Sequence, residues 1–428
     1  MKALFLFLFL FLNLLQAQIQ LIKKSNSDSN TTLLVIGGIH GNEPGGYFSA
    51  AILASHYTIT SKNLWIIPNL NEKSIINNKR GIHGDMNRKF AHIKDTDKDK
   101  PIIEEVKKII LNKQVSLVLN LHDGHGFYRK KNQNSIYNPK AWGQTCVIDQ
   151  CNLSKKQPFS CLNDIAMSVK EGVNKKLLHK HHTFNVKNTN TKLDDKAMQL
   201  SLTYFAVRHN KPAFAIETSK NLSSLSQKVF YQLLAIEEYM KIMGITFIRD
   251  FNFTEKNIAK IIKDYGTLSI NSNILLNLTD IKKSLSYIPI KSNNNEFTFS
   301  NPLGMVQKIK GKYQVFIGNK KVTTLKPQYF KLAKNCQRKL NFIVDGKEIS
   351  FSNSLDFNVN ADFKVIKSKD LRVNIIGYQA KRHIDESNIT ISLDQLKKSY
   401  SVDRAHKVYR IEFYKKDEFC SMLMVHFK

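Results

Sequence analysis

The hydrophobic pattern of this chain changes character near residue 244, and that change limits the folds open to it. Before it, short apolar runs at 32–36, 64–67, 115–121 and 213–216 alternate with stretches of helical spacing at 44–57, 163–178 and 226–242. A further helix is expected from Pro101, with Ile102, Val106, Ile109 and Ile110 on one face. Buried strands alternating with helices build an α/β layer on a mostly parallel or mixed sheet. Pro44 and Pro101 stand where two helices begin, a position that needs no backbone N–H.

Beyond 244 the runs are short, alternating and separated by turns. Residues 312–317 precede Gly318-Asn319, and runs 340–344 and 348–351 flank Asp345-Gly346. Asp-Gly suits a tight turn with positive φ, so a hairpin is expected there. Runs at 363–366, 371–376, 408–414 and 422–427 extend the pattern into an all-β tail. The expected fold class is therefore α/β, a mixed sheet flanked by helices, followed by two small all-β domains split near residue 335. A length of 428 residues fits two or three domains, each able to bury its own core.

Lys2 followed by an apolar run from Ala3 to Leu15, ending at Ala17, reads as a signal peptide. The run is shorter than the roughly 20 residues a membrane span requires, so no stable span is expected after cleavage. The predicted division is 1–17 signal peptide, 18–245 α/β domain, 246–335 small β domain and 336–428 β-sandwich-like domain. Export permits disulfides. Cys146, Cys151 and Cys161 cluster, so a local bridge is expected, Cys151 to Cys161 or Cys146 to Cys151, and the odd count of five leaves a thiol over. Their spacing does not match a zinc ribbon or finger.

The formal charge of +30, or +29 once Lys2 is removed, is scattered through every segment. No nucleic-acid recognition motif accompanies it, so nucleic acid is not an expected partner. A basic exported chain is suited to anionic envelope polymers or acidic substrates. Charge alone assigns neither.

Chemistry concentrates in four short segments. In VIGGIHGNEPGG, His40 and Glu43 sit three residues apart between a strand and a helix, where an imidazole and a carboxylate can converge on one zinc ion. His122 in NLHDGHG follows the apolar strand 115–121 and can add a third ligand at a strand end. Two His and one Glu leave a coordination position open, the catalytic pattern of zinc. Glu217 in FAIETS, after strand 213–216, supplies a carboxylate able to take a proton from water.

The ordered set HGNE, GDMNRKF, NLHDGHG and AIETS resembles the zinc carboxypeptidases of the carboxypeptidase A type, together with their compact bacterial branch and related deacylases. The likeness covers residues 30–245 and implies a zinc carboxypeptidase-like fold. It implies that His40, Glu43 and His122 hold Zn2+ and that Glu217 is the general base. Asn87 and Arg88 match the pair that grips the carboxylate of the departing residue, and Arg80 in RGIHGDMNR matches the arginine that stabilises the oxyanion. With the signal peptide, PNLN and the β-rich tail, the chain is most similar to the periplasmic peptidoglycan DL-carboxypeptidases that determine helical and curved cell shape. That resemblance implies a periplasmic enzyme trimming stem tripeptides to dipeptides by releasing meso-diaminopimelate, with envelope proteins as further partners for its β domains. A succinylglutamate desuccinylase-like deacylase and a non-catalytic peptidoglycan-binding scaffold are the competing readings.

One departure is that no motif supplies the mobile tyrosine of digestive carboxypeptidases, Tyr204 being only a neighbour. His83, Asp123 and His125 lie beside the motifs and could support the ligands or touch substrate. His179, His181 and His182 read as a solvated helix end rather than a metal tract. Arg129, Lys130 and Lys131 read equally as a solvated run or as a greeting for an acidic peptide.

Overall fold

The computed structural model describes residues 19–26, 29–336, 339–352, 356–379 and 384–428. The expected signal peptide, 1–17, lies outside them. The first part opens with β1 (Ile22–Asn26), β2 (Thr32–Ile36), α1 (Pro44–His56), β3 (Tyr57–Ile59), β4 (Lys62–Ile67) and α2 (Glu72–Ile76). It continues through α3 (Lys100–Ile110), β5 (Val115–Gly124), β6 (Phe127–Tyr128), β7 (Tyr137–Asn138), β8 (Thr145–Ile148) and α4 (Leu162–Asn174). Then come β9 (Asn185–Asn188), α5 (Thr191–Asp194), α6 (Leu202–Arg208), β10 (Ala213–Ser219), α7 (Leu225–Met243), β11 (Phe247–Arg249) and α8 (Glu255–Lys263).

Seven strands form one mixed sheet in the order β1-β4-β2-β5-β10-β8-β9. The central strands β4, β2, β5 and β10 are parallel, while β1 and β8 run against their neighbours β4 and β10. β2 is wholly buried and β5 nearly so, as near-continuous apolar runs require when helices cover both faces. Helix α1 starts at Pro44, and α7 is capped by the Ser224 side chain, which accepts from the Gln227 N–H. Register sets the site: Glu217 pairs with His122 across parallel β10 and β5, so both side chains leave the same face at the same edge.

Past α8, two sheets of three and four strands form the middle domain, the larger ordered Leu285–Ile290, Lys320–Tyr329, Lys312–Ile317, Gly304–Ile309. Two four-stranded sheets form the last. The Asp345-Gly346 hairpin joins Lys339–Val344 to Lys347–Ser352, with positive φ at both turn residues.

Two expectations are corrected. The middle domain does not bury a core of its own: Val315, Phe316 and Leu325 belong to one continuous apolar cluster with Leu33, Tyr47 and Val118. Among the described residues only the last domain has a separate cluster, around Phe342, Phe363, Phe413 and Val425. The disulfide joins Cys336 to Cys420, while Cys146, Cys151 and Cys161 are free thiols. Closeness in sequence did not decide the pairing, because Cys146 is locked inside β8 of the buried sheet whereas strand Glu418–Phe427 returns beside the start of the last domain.

Candidate active site

A cavity of about 230 Å³ opens at the carboxyl edge of the sheet, and His40, Glu43, Arg80, Asn87, Arg88, His122 and Glu217 all line it. These seven residues span 178 positions of sequence, and folding brings them to one wall system. His40 and Glu43 come from the β2–α1 loop, where Gly41 lies so close to α2 that a Cβ would stand 2.0 Å from the Ser74 carbonyl carbon. Only glycine permits that approach. His122 comes from β5, its backbone carbonyl accepting from Gln232 Nε2 of α7 at 2.7 Å.

His40 Nδ1, a Glu43 carboxylate oxygen and His122 Nδ1 converge. Glu43 Oε2 lies 3.0 Å from His40 Nδ1 and 2.8 Å from His122 Nδ1. All three residues are buried, and their donor atoms lie within 4.8 Å of one another, the one such group among the described residues. His40 Nδ1 has no partner of hydrogen-bond geometry although it is sealed from solvent. An orphaned buried nitrogen aimed at a carboxylate and a second imidazole fits zinc, for which N, O, N is an ordinary catalytic donor set.

Around this centre lies a carboxylate that the sequence reading passed over. Asp85 Oδ1 lies 2.8 Å from His40 Nε2 and accepts the Asn87 N–H at 2.9 Å, while Oδ2 accepts from Arg80 Nε at 2.9 Å. Asp85 thus ties the outer nitrogen of His40, the arginine and the backbone of Asn87 to one group. A carboxylate behind a ligating imidazole fixes ring orientation and tautomer. Its presence in GDMNRKF was visible, but its direction was not.

Electrostatics follows from burial opposed by these contacts. Burial would raise the Glu43 carboxyl, yet His40 and His122 hold it well below the usual range. Burial likewise opposes ionised Asp85, and the His40 and Arg80 contacts overcome it and hold its carboxyl far down. Glu217 behaves oppositely: burial first, then the charges of Glu43 and Asp123, push it well above the ordinary value, with Lys220 and Arg80 pulling back. A carboxylate raised in this way binds a proton more readily than an exposed one, as a general base must. Asp123, pushed up to about 6 by burial, accepts from the Gly45 N–H at 2.8 Å and the Thr218 hydroxyl at 2.5 Å, so it anchors the start of α1.

Arg88 donates to the Asn87 carbonyl at 3.0 Å and lies 3.5 Å from Met198 Sδ, with no carboxylate partner among the described residues. Asn87 is buried, its Oδ1 accepting the Leu202 N–H at 2.9 Å. Arg80 bridges Glu43 at 3.0 Å and Asp85 at 2.9 Å.

The neighbours of the motifs divide between the cavity and positions away from it. His125 is exposed at the cavity, Trp142 and Lys220 also line it, and neither His83 nor Tyr204 does. His182 is not a solvated helix-end residue. It is buried, stacks on Phe127 and lies 2.9 Å from the Tyr231 hydroxyl, and burial pushes its imidazole down to about 4. Arg129 is consumed by the carbonyls of Tyr128, His181 and Thr183, which leaves the exposed Lys130 and Lys131 as the solvated part of that run.

A mixed α/β sheet that brings a His-Glu-His group able to hold a metal ion to one cavity beside a buried carboxylate is the arrangement of a metallohydrolase. Residues 1–263 match the family described as the carboxypeptidase controlling helical cell shape, catalytic domain, and residues 333–428 match the C-terminal domain of metallo-carboxypeptidase. The chain belongs to that family. The apo cell shape determinant protein Csd4 from Helicobacter pylori is similar over 96% of this chain and 100% of its own, with 32% identity and a TM-score of 0.89. The tripeptide-bound form of that protein covers the same shares at 32% identity and a TM-score of 0.88. Its mDAP-bound form, described as a D,L-carboxypeptidase, matches over 95% of this chain and 100% of its own at 32% identity, with a TM-score of 0.89. No curated protein matches the chain by sequence.

Proposed function

We propose that this protein is a zinc-dependent DL-carboxypeptidase that trims peptidoglycan stem tripeptides to dipeptides by releasing meso-diaminopimelate, and so contributes to helical or curved cell shape. The H. pylori relative, studied in tripeptide-bound, product-bound and mDAP-bound forms, supports the substrate class. Peptidoglycan lies outside the cytoplasm, and the apolar run behind Lys2 supports placing the enzyme in the periplasm. No helix among the described residues is long and apolar enough to cross a membrane.

His40, Glu43 and His122 would hold the zinc, which when bound supplies Lewis-acid polarisation of the scissile carbonyl and acidifies water. Glu217 takes a proton from the attacking water and passes it to the departing amine as the C–N bond breaks. Arg80, pinned by Asp85 and Glu43, presents its guanidinium to the oxygen that gains charge. Asn87 and Arg88 hold the free carboxylate of the residue that leaves. Asp85 keeps His40 and Arg80 in register.

The observation that carries the exopeptidase reading is Arg88, a guanidinium at the cavity wall without a carboxylate of its own among the described residues. The test is digestion of a disaccharide tripeptide and of its analogue amidated at the carboxyl of the diaminopimelate L-centre, each with a chelator control and mass analysis of the product. The free tripeptide should lose diaminopimelate. The amide should react on the order of 10- to 10²-fold slower, since losing the charge-assisted hydrogen bond to half-buried Arg88 costs about 1.5 to 3 kcal/mol. Equal rates would remove Arg88 as the carboxylate clamp.

A further inference from the structure

The hairpin of strands Lys312–Ile317 and Lys320–Tyr329 belongs to the middle β domain, yet its tip rests on the catalytic domain. Gly318, at φ +56°, lies so close to α1 that a Cβ would meet Tyr47 Cε2 at 3.0 Å and Phe48 Cε2 at 3.3 Å. Tyr47 itself has no exposed surface. The Asn319 side chain donates to Asn78 Oδ1 at 3.2 Å. One turn therefore contacts two separate segments of the α/β domain.

Both segments lead directly to the site. Tyr47 is one helical turn after Glu43 on α1. Asn78, in the left-handed region at φ +49°, lies two residues before Arg80, and its N–H is held by the Ile75 carbonyl at 2.9 Å. Ile75 and Ser74 in turn lie against Gly38 and Gly41, the loop that delivers His40. Behind the tip, Phe316 and Ile317 share one apolar cluster with Tyr47, Phe48 and Ile75. Packed groups with no slack transmit a displacement to their neighbours rather than absorb it.

From this juxtaposition we propose that Gly318 and Asn319 are positioning residues of the catalytic centre: the β domain fixes α1 behind Glu43 and the loop before Arg80. The middle domain is then part of the catalytic unit rather than a detachable wall-binding module. The inference rests on the proposed carboxypeptidase reading for its kinetic readout only.

The test uses the full chain with Gly318→Val and, as a milder change at the rim, Asn319→Ala. Hydrogen exchange at residues 37–47 and 74–80 reads the buttress whatever substrate the site accepts, and should rise in both variants. On the tripeptide, Gly318→Val should lower kcat on the order of 10- to 100-fold while KM moves less than about threefold, because misplacement by about 1 Å is enough to cost that much. Combining Asn78→Asp with Asn319→Lys restores a link across the same gap and should recover the loss seen in Asn319→Ala. Asn319→Ala with wild-type exchange in both segments, and kcat within about twofold, would overturn the proposal even if Gly318→Val fails to fold. If the unaltered protein leaves the tripeptide intact while exchange still rises in both variants, the carboxypeptidase reading fails and the buttress stands.

Discussion

Glu217 and His122 sit on paired positions of neighbouring strands, and the proposed mechanism gives them opposite tasks. Glu217 is outside the three-residue group whose donor atoms converge, so Glu217→Ala should leave zinc stoichiometric while slowing turnover on the order of 10²- to 10⁴-fold. His122→Ala should lose metal and activity together, because only His40 and Glu43 remain as ligands. Metal analysis of the two purified variants separates the roles, and zinc lost from the first or kept in the second reverses the assignment. A pH profile tests the same carboxylate. Glu217 must be ionised to accept a proton; burial and the charges of Glu43 and Asp123 raise it, whereas Lys220 lowers it. Lys220→Met removes a cation that favours the ionised form, so the acid limb of kcat/KM should move to higher pH. A limb that stays in place would mean that another group titrates there.

At the scale of elements, the β2–α1 loop shows how tightly the placement of His40 and Glu43 depends on backbone approach. Gly41→Ala would drive a methyl into the backbone of Ser74 and Ile75, and these atoms cannot swing aside as a flexible side chain would. The expected result is a weakened or lost zinc site with the sheet retained, read by zinc titration beside circular dichroism; wild-type affinity would mean the loop has slack. Much of this was legible in the sequence, because strands β2 and β5 are apolar runs and helices α1 and α3 begin beside prolines, all local signals. His40, Glu43 and His122 were singled out by residue type around strand ends and a helix start, whereas Glu217 stood out only through the family resemblance. What remained hidden depends on direction and distance. Nothing local says that Asp85 turns toward His40 Nε2, that His182 folds under Phe127, or that Cys336 finds a partner 84 residues away.

The whole molecule is less divisible than a string of three domains implies. The final strand, Glu418–Phe427, serves two cores: Phe419, Met422 and Met424 join the large cluster, while Cys420, Leu423 and Val425 join that of the last domain. Buried Arg410 adds a second tie, donating to the carbonyls of Ser286 and Tyr287 in the middle domain at 3.2 and 3.3 Å. The Cys336–Cys420 bridge pins the entry of the last domain to this shared strand across a separation of 84 residues. Closing a loop of that length restricts the unfolded chain, and native bridges of this kind contribute about 2 to 5 kcal/mol. The paired change Cys336→Ser with Cys420→Ser should therefore lower the midpoint of urea unfolding, the last domain being released first. Neither cysteine lines the cavity, and the elements that carry His40, Glu43 and His122 lie in the α/β domain. Zinc content and tripeptide turnover at 25 °C should consequently stay at wild-type levels while stability falls. Urea titration followed by fluorescence, with turnover measured on the same preparation, checks both halves. An unchanged midpoint would show that strand sharing and Arg410 already hold the last domain in place without the bridge.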